Sequence, residues 1–168
     1  LHRTQAVGHL EAGRQVAERL QSQHSLDGLL ARIATRVGSD NVIRLHPNDS
    51  HIPEQTCQAE PALHSDPSPD WPHAPRPRPL LLWPPEFVHP ADAQRPPKSF
   101  RWRGRSLTTR FARGPERIAP QWWVDDPNWR SGVRDYWHIT CDSGDVLWVF
   151  YAHGGTVSGG WFCHGRFG

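Results

Sequence analysis

Four side chains toward the end of the chain are of the kind that hold soft metals: His138 and Cys141, three residues apart, and the adjacent Cys163 and His164. Two cysteines and two histidines make a tetrahedral zinc set, and two hairpins lying side by side would bring the four together. Strand alternation argues against it, because residues three apart point to opposite faces. A buried structural cysteine and a surface histidine are the expected arrangement, and no metal is assigned. Asp125 and Asp126 form a second candidate, a carboxylate pair of the type that binds a cation or divides acid and base work. Adjacent side chains diverge, and Asp126-Pro127 is a turn initiator, so a turn is expected there. No Ser, His and Asp set stands in a nucleophile-elbow setting, and Gly154-Gly155 and Gly159-Gly160 lack the strand-to-helix context of a phosphate loop. No catalytic residue and no cofactor is assigned.

A different chemistry is suggested by Trp102, Trp122, Trp123, Trp129, Trp137, Trp148 and Trp161, which lie among Arg101, Arg103, Arg105, Arg110, Arg113, Arg117 and Arg134. Ring faces on which bases stack, at about 1–3 kcal/mol per base, and guanidinium groups for phosphate are what single-stranded nucleic acid requires. The same tryptophans are what a small domain uses to fill its core. Alternation through Phe100-Arg101-Trp102-Arg103 sends Phe100 and Trp102 to one face and Arg101, Arg103 and Arg105 to the other. The rings are therefore expected inward, and Arg101, Arg103, Arg105 and Arg110 are the candidate nucleic-acid contacts.

The elements that position these residues are β-strands. Phe100–Arg103 and Leu107–Phe111 flank a tight turn at Gly104-Arg105, and Tyr136–Thr140 and Val146–Tyr151 flank Asp142-Ser143-Gly144-Asp145, so two hairpins are expected. Trp161–His164 adds a last strand after the glycines of 154–160. Residues 98–168 are thus read as a small antiparallel sheet or partly open barrel. Residues 52–97 carry prolines at short intervals, which fix φ and remove amide donors, so a partly stiff linker is expected. Within it, Leu80-Leu81-Leu82-Trp83 is an apolar run that should dock on a neighbour as a short strand or tether. Residues 1–51 read as a helix over 5–22, a second helix from Ser25 as N-cap to Gly38 as stop, and a strand Val42–Leu45. The fold class is α+β: this helical remnant of something larger, the proline-rich linker, and the β module.

Composition sets the bounds. With Pro 17, Gly 14, 36% hydrophobic residues and mean hydropathy −0.68 in 168 residues, less than the whole chain should be globular. Net charge +2 is too mild for a DNA-coating protein, so any positive face must be local. Three cysteines, widely spaced, suit reduced thiols rather than a disulfide framework. No apolar run is long enough to cross a bilayer and no leader opens the chain, so a cytosolic protein without membrane contact is expected. A chain that starts at Leu1 and has no Met is expected to be a fragment.

Several stretches resemble one family. Leu29–Gly38, Val42–Leu45 and Ser50-His-Ile-Pro-Glu54, then Gly114-Pro-Glu-Arg-Ile-Ala-Pro-Gln-Trp-Trp123, Arg134-Asp-Tyr-Trp137 and Trp161–Phe167, are similar to the C-terminal part of ImuB-like proteins, bacterial Y-family DNA polymerase homologues of the SOS mutagenesis cassette. The resemblance spans both ordered parts and skips the proline-rich middle. It implies a non-catalytic adaptor in error-prone translesion synthesis and DNA repair, joining a sliding clamp, an error-prone replicative-type DNA polymerase and a RecA-like partner. The alternatives are the C-terminal part of an active Y-family polymerase, and a free-standing β module for peptide or single-stranded nucleic acid. A clamp-binding peptide needs a leading Gln and apolar anchors. Gln23 and Leu26 are the candidates, although Asp27-Gly28 stand where the second anchor belongs and Leu26 already serves the helix stripe.

Overall fold

A computed structural model describes residues 2–72 and 76–168, the side chains of 2–13 and of Gln23 excepted. Pro75 of the proline-rich stretch therefore lies outside the described residues. The chain divides into two units, Leu1–Asp49 with Cys57–Pro72, and Ser50–Thr56 with His73–Gly168.

In the first unit α1 (His2–Val37) is one continuous helix. The expected break at Ser25 does not occur, because neither Ser25 nor Gly28 costs enough to interrupt a long helix that is regular on both sides. Gly38 ends it, with φ +93 and its amide donating to Ala34 O at 2.8 Å. A short 3-10 turn, Ser39–Asn41, leads to β1 (Ile43–Pro47), which pairs antiparallel with β2 (Cys57–Pro61). Only Ala34 and Ala62 are fully buried here among the described residues, so the core of this unit is thin. No helix among the described residues is long and apolar enough to cross a membrane.

The second unit is a seven-stranded antiparallel sheet made of β3 (Leu81–Phe87), β4 (His89–Pro90), β5 (Ser99–Trp102), β6 (Arg105–Ile118), β7 (Arg134–Cys141), β8 (Val146–Ala152) and β9 (Gly160–Arg166), in the order β3-β9-β8-β7-β6-β5-β4. The first and last strands of that order are one stretch of chain interrupted only at Val88. Phe87 pairs with Phe162, the Val88 amide donates to Trp161 O, and His89 pairs with Arg101. The sheet therefore curls back toward its own start, the partly open barrel expected for an α+β chain.

The proline-rich stretch is thus more than a linker. It supplies β2, β3 and β4, and its prolines sit where a ladder needs no amide. Pro84 and Pro85 fall in the irregular step between Leu82 and Glu86, while Pro61 and Pro90 end their strands. The run Leu81–Trp83 docks as a strand on β9, as its apolar character suggests.

Alternation divides the sheet's side chains into two packed clusters. Inside the curl lie Val88, Phe100, Trp102, Leu107, Trp137, Ile139, Cys141, Leu147, Val149, Trp161 and Cys163. On the outer face Ile52, Ile118, Trp129, Tyr136, Trp148, Phe150 and Ala152 form the second, covered by segments 50–56 and 119–133. Five of the seven C-terminal tryptophans are buried, while Trp122 and Trp123 are 87% and 63% exposed. The β5–β6 turn falls one residue earlier than expected, at Arg103-Gly104, with φ +47 and +74. Two positive φ values give the turn type whose twist matches a hairpin.

Candidate nucleic-acid interface

The outer face of the sheet holds a buried polar network. Arg134 is 1% exposed; its Nη1 donates to Glu54 Oε1 at 3.1 Å and to the Tyr136 hydroxyl at 3.2 Å, and its Nη2 donates to Asn128 O. Its guanidinium lies over Trp129 at 3.7 Å and over Phe150 at 4.6 Å. Tyr136 shares a 2.9 Å hydrogen bond with His164 Nδ1, and burial pushes its phenol well above the usual range. His164 Nε2 lies 3.2 Å from Glu54 Oε1 without hydrogen-bond alignment. Burial alone would raise the Glu54 carboxyl; His164 and Arg134 outweigh it and lower it. The network fastens segment 50–56 to the sheet, where Ile52 is buried.

Beside this fastened region the outer face opens into a groove of ≈ 520 Å³ whose walls include Arg76, Phe111, Arg113, His138, Trp148 and Phe167. Two bulges in β6 shape it, one between Thr109 and Phe111 and one between Arg113 and Glu116. The first sets Phe111 opposite Thr140 and turns it toward this face. Phe111 is 60% exposed. His138, paired in register with Arg113, packs its ring on Phe167 at 4.2 Å. Arg78 makes two hydrogen bonds to Glu116, at 2.6 and 2.8 Å, and lies 5.2 Å over Trp148. Arg76 and Arg113, in the groove wall, have no carboxylate partner among the described residues, while Glu116 in the same wall is taken up by Arg78.

The four candidate arginines lie in three places. Arg101 is exposed and lines a separate hollow of ≈ 470 Å³ with Phe87 and His89. Arg103, in the turn rather than on the strand, lines the same hollow. It binds both oxygens of Glu86, at 2.8 and 2.6 Å, and stacks over Trp83 and Trp102. Arg105 corrects the alternation reading. It pairs with Trp102 and so belongs on the inner side, where it reaches Asp145 at 3.0 Å, because the turn at 103–104 resets the phase of β6. Arg110 stands on β6 next to Phe111, and none of the four lines the groove. Arg113, Phe111 and His138 were not singled out together, because two bulges shift the phase of β6 and hide their common face.

The other candidates fall as their local chemistry dictates. His138 and His164 lie on the outer face, Cys141 and Cys163 inside the curl, so the four soft donors are divided between faces. Burial pushes the Cys141 thiol up to about 11 and the Cys163 thiol up to about 12. Asp126 accepts the Asn128 amide at 2.9 Å at the head of the short 3-10 turn Pro127–Trp129, and Asp125 pairs with Arg130 at 2.9 Å. Gln23 and Leu26 both lie in α1; Leu26 is exposed and the side chain of Gln23 is outside the described residues.

The second unit is thus a curled β module with a buried aromatic core and an open groove walled by rings and arginines. Comparison with known proteins gives the chain its relatives. It is 36% identical over 157 residues to Protein ImuB of Caulobacter vibrioides, in strain NA1000 / CB15N and equally in strain ATCC 19089 / CIP 103742 / CB 15. The match covers 88% of this chain and 34% of each relative, so the chain spans about a third of their length. The chain is ImuB-like. No family model matches it, and no solved structure does.

Proposed function

We propose that this chain is a non-catalytic adaptor region of a Y-family polymerase-like protein, acting in error-prone translesion DNA synthesis and DNA repair after DNA damage. The observation that carries this reading is the 36% identity to ImuB across 88% of the chain. The partners it assigns are a sliding clamp, an error-prone replicative-type DNA polymerase and a RecA-like protein, in the bacterial cytoplasm, with weak contacts to DNA.

Two features support binding over chemistry. The titratable groups are engaged in fastening the fold: Glu54, Arg134, Tyr136 and His164 hold a segment to the sheet, and Arg117 and His153 hold Asp135. Trp122 and Trp123, packed edge to face at 5.6 Å and exposed beside Val124, present an aromatic surface of the kind enriched at protein interfaces.

The test is genetic. In the source bacterium, the coding region for this chain is removed, and damage-induced mutation frequency is scored by resistance to an antibiotic. The expected result is a fall to the uninduced level, restored by the wild-type sequence and poorly by Trp122→Ala/Trp123→Ala. Undiminished induced mutagenesis in its absence would remove the proposal.

A further inference from the structure

We propose that the groove on the outer face binds single-stranded nucleic acid, stacking bases on Phe111 and on the His138–Phe167 pair while Arg76 and Arg113 take the phosphates. This deepens the adaptor reading, and rests on it only for the biological source of the strand.

Three observations favour this ligand. First, the groove puts exposed ring surface beside guanidinium groups that no carboxylate occupies, the combination that stacking platforms for single strands use. Several arginines elsewhere on the module are spent on acids: Arg103 on Glu86, Arg105 on Asp145, Arg117 on Asp135, Arg130 on Asp125; Arg101, in the other hollow, is not. Second, an acidic peptide would most simply add a strand to the sheet, and the edge here is blunted against that. Beyond Thr109, β6 has a ladder partner only in β7 among the described residues, yet its free edge carries two bulges and Pro115. Such features prevent regular strand addition. A nucleic-acid backbone needs no such ladder. Third, a groove of ≈ 520 Å³ suits a few unpaired nucleotides but not a duplex, and stacking on Phe111 requires bases free of their partners.

The experiment is fluorescence anisotropy with the full 168-residue chain and labelled oligodeoxythymidylate, at about 50 and about 200 mM salt. Binding that weakens as salt rises is expected. Phe111→Ala should weaken it by about 5- to 150-fold, the range for one stacked base. Arg113→Gln should lower the salt slope by about 0.7, one phosphate contact on a single strand. Arg36→Gln, on α1, should change neither. Both groove side chains are exposed, and an unchanged thermal melt establishes that each variant is folded. The proposal fails if binding is absent or insensitive to salt, or if Arg101→Gln costs more than Arg113→Gln. It also fails if a duplex of equal length binds more tightly, or if polyglutamate displaces the strand while Phe111→Ala keeps its affinity, which would assign the groove to an acidic peptide. Loss of this binding with partner capture intact would sink the groove assignment and leave the adaptor reading standing; the converse would do the opposite.

Discussion

Replacing Arg134 by methionine should destabilise the β unit by about 3 kcal/mol, near the lower end of what removing one partner of a buried ion pair costs. The magnitude follows from what the guanidinium holds. Its loss leaves Tyr136 with only the bond to His164, Asn128 O without this donor, and Glu54 with only the misaligned contact to His164. The stacking over Trp129 at 3.7 Å, worth up to about 2 kcal/mol when desolvated, goes with it. Two factors hold the cost down. Glu54 is partly exposed and can be rehydrated, and methionine retains the apolar stem contact. With a urea m-value of about 1–3 kcal/mol/M, the midpoint should fall by about 1–3 M. The assay is equilibrium urea unfolding followed by tryptophan fluorescence, since Trp129 and Trp148 flank the network. The double variant Glu54→Gln/Arg134→Met should cost less than the sum of its singles, because the orphaned carboxylate is the main penalty. An unfolding free energy within about 0.5 kcal/mol of wild type, the noise of additivity, or strictly additive singles would refute the reasoning.

Other consequences follow from single positions. Gly132 has φ +78, and a Cβ there would run into the Gly154 carbonyl, so Gly132→Ala should cost more than about 2 kcal/mol, whereas Gly28→Ala in α1 meets nothing and should stabilise the helix by up to about 1 kcal/mol; thermal melts by circular dichroism separate the two. Hydrogen bonds from Arg117 at 2.7 and 2.8 Å outweigh burial and, with His153, hold the Asp135 carboxyl down to about 2. A depressed carboxyl stabilises the fold above the ordinary value near 4, and that contribution is lost as pH falls toward 2. Because Arg117 is largely exposed the loss should be only about 1–2 kcal/mol, and Asp135→Asn should flatten the pH 5-to-2 stability profile by that amount. In native protein at pH 8, a thiol reagent should modify Cys57 and spare Cys141 and Cys163 until unfolding, since burial holds those two thiols protonated.

The hairpins were legible in the sequence because their signals are local: an alternating strand, a turn rich in glycine, another alternating strand. β7 and β8 with Asp142–Asp145 between them follow the pattern directly. What escaped was non-local. Prolines 84 and 85 announce a break in structure, and only the pairing partner reveals that the break is a bulge inside a strand. The closing of the sheet by residues 81–90 depends on one segment serving two neighbours, which no window of sequence displays. In the groove, the two bulges of β6 bring Phe111 and Arg113 to the face of His138 by shifting the phase that alternation assumes. The network of Glu54, Arg134 and His164 joins residues 30 and 80 apart; Arg134-Asp-Tyr-Trp137 marked the place without stating its partner.

The adaptor claim is tested most directly by capture from defined components. The immobilised chain is presented with purified sliding clamp, error-prone replicative-type polymerase and RecA-like protein of the same bacterium, each alone and together. Primer extension is assayed on the chain by itself. The account predicts specific retention of at least one of these proteins, weakened by Trp122→Ala/Trp123→Ala, and no extension by the chain alone. Retention of none of them, or primer extension by the isolated chain, would contradict it.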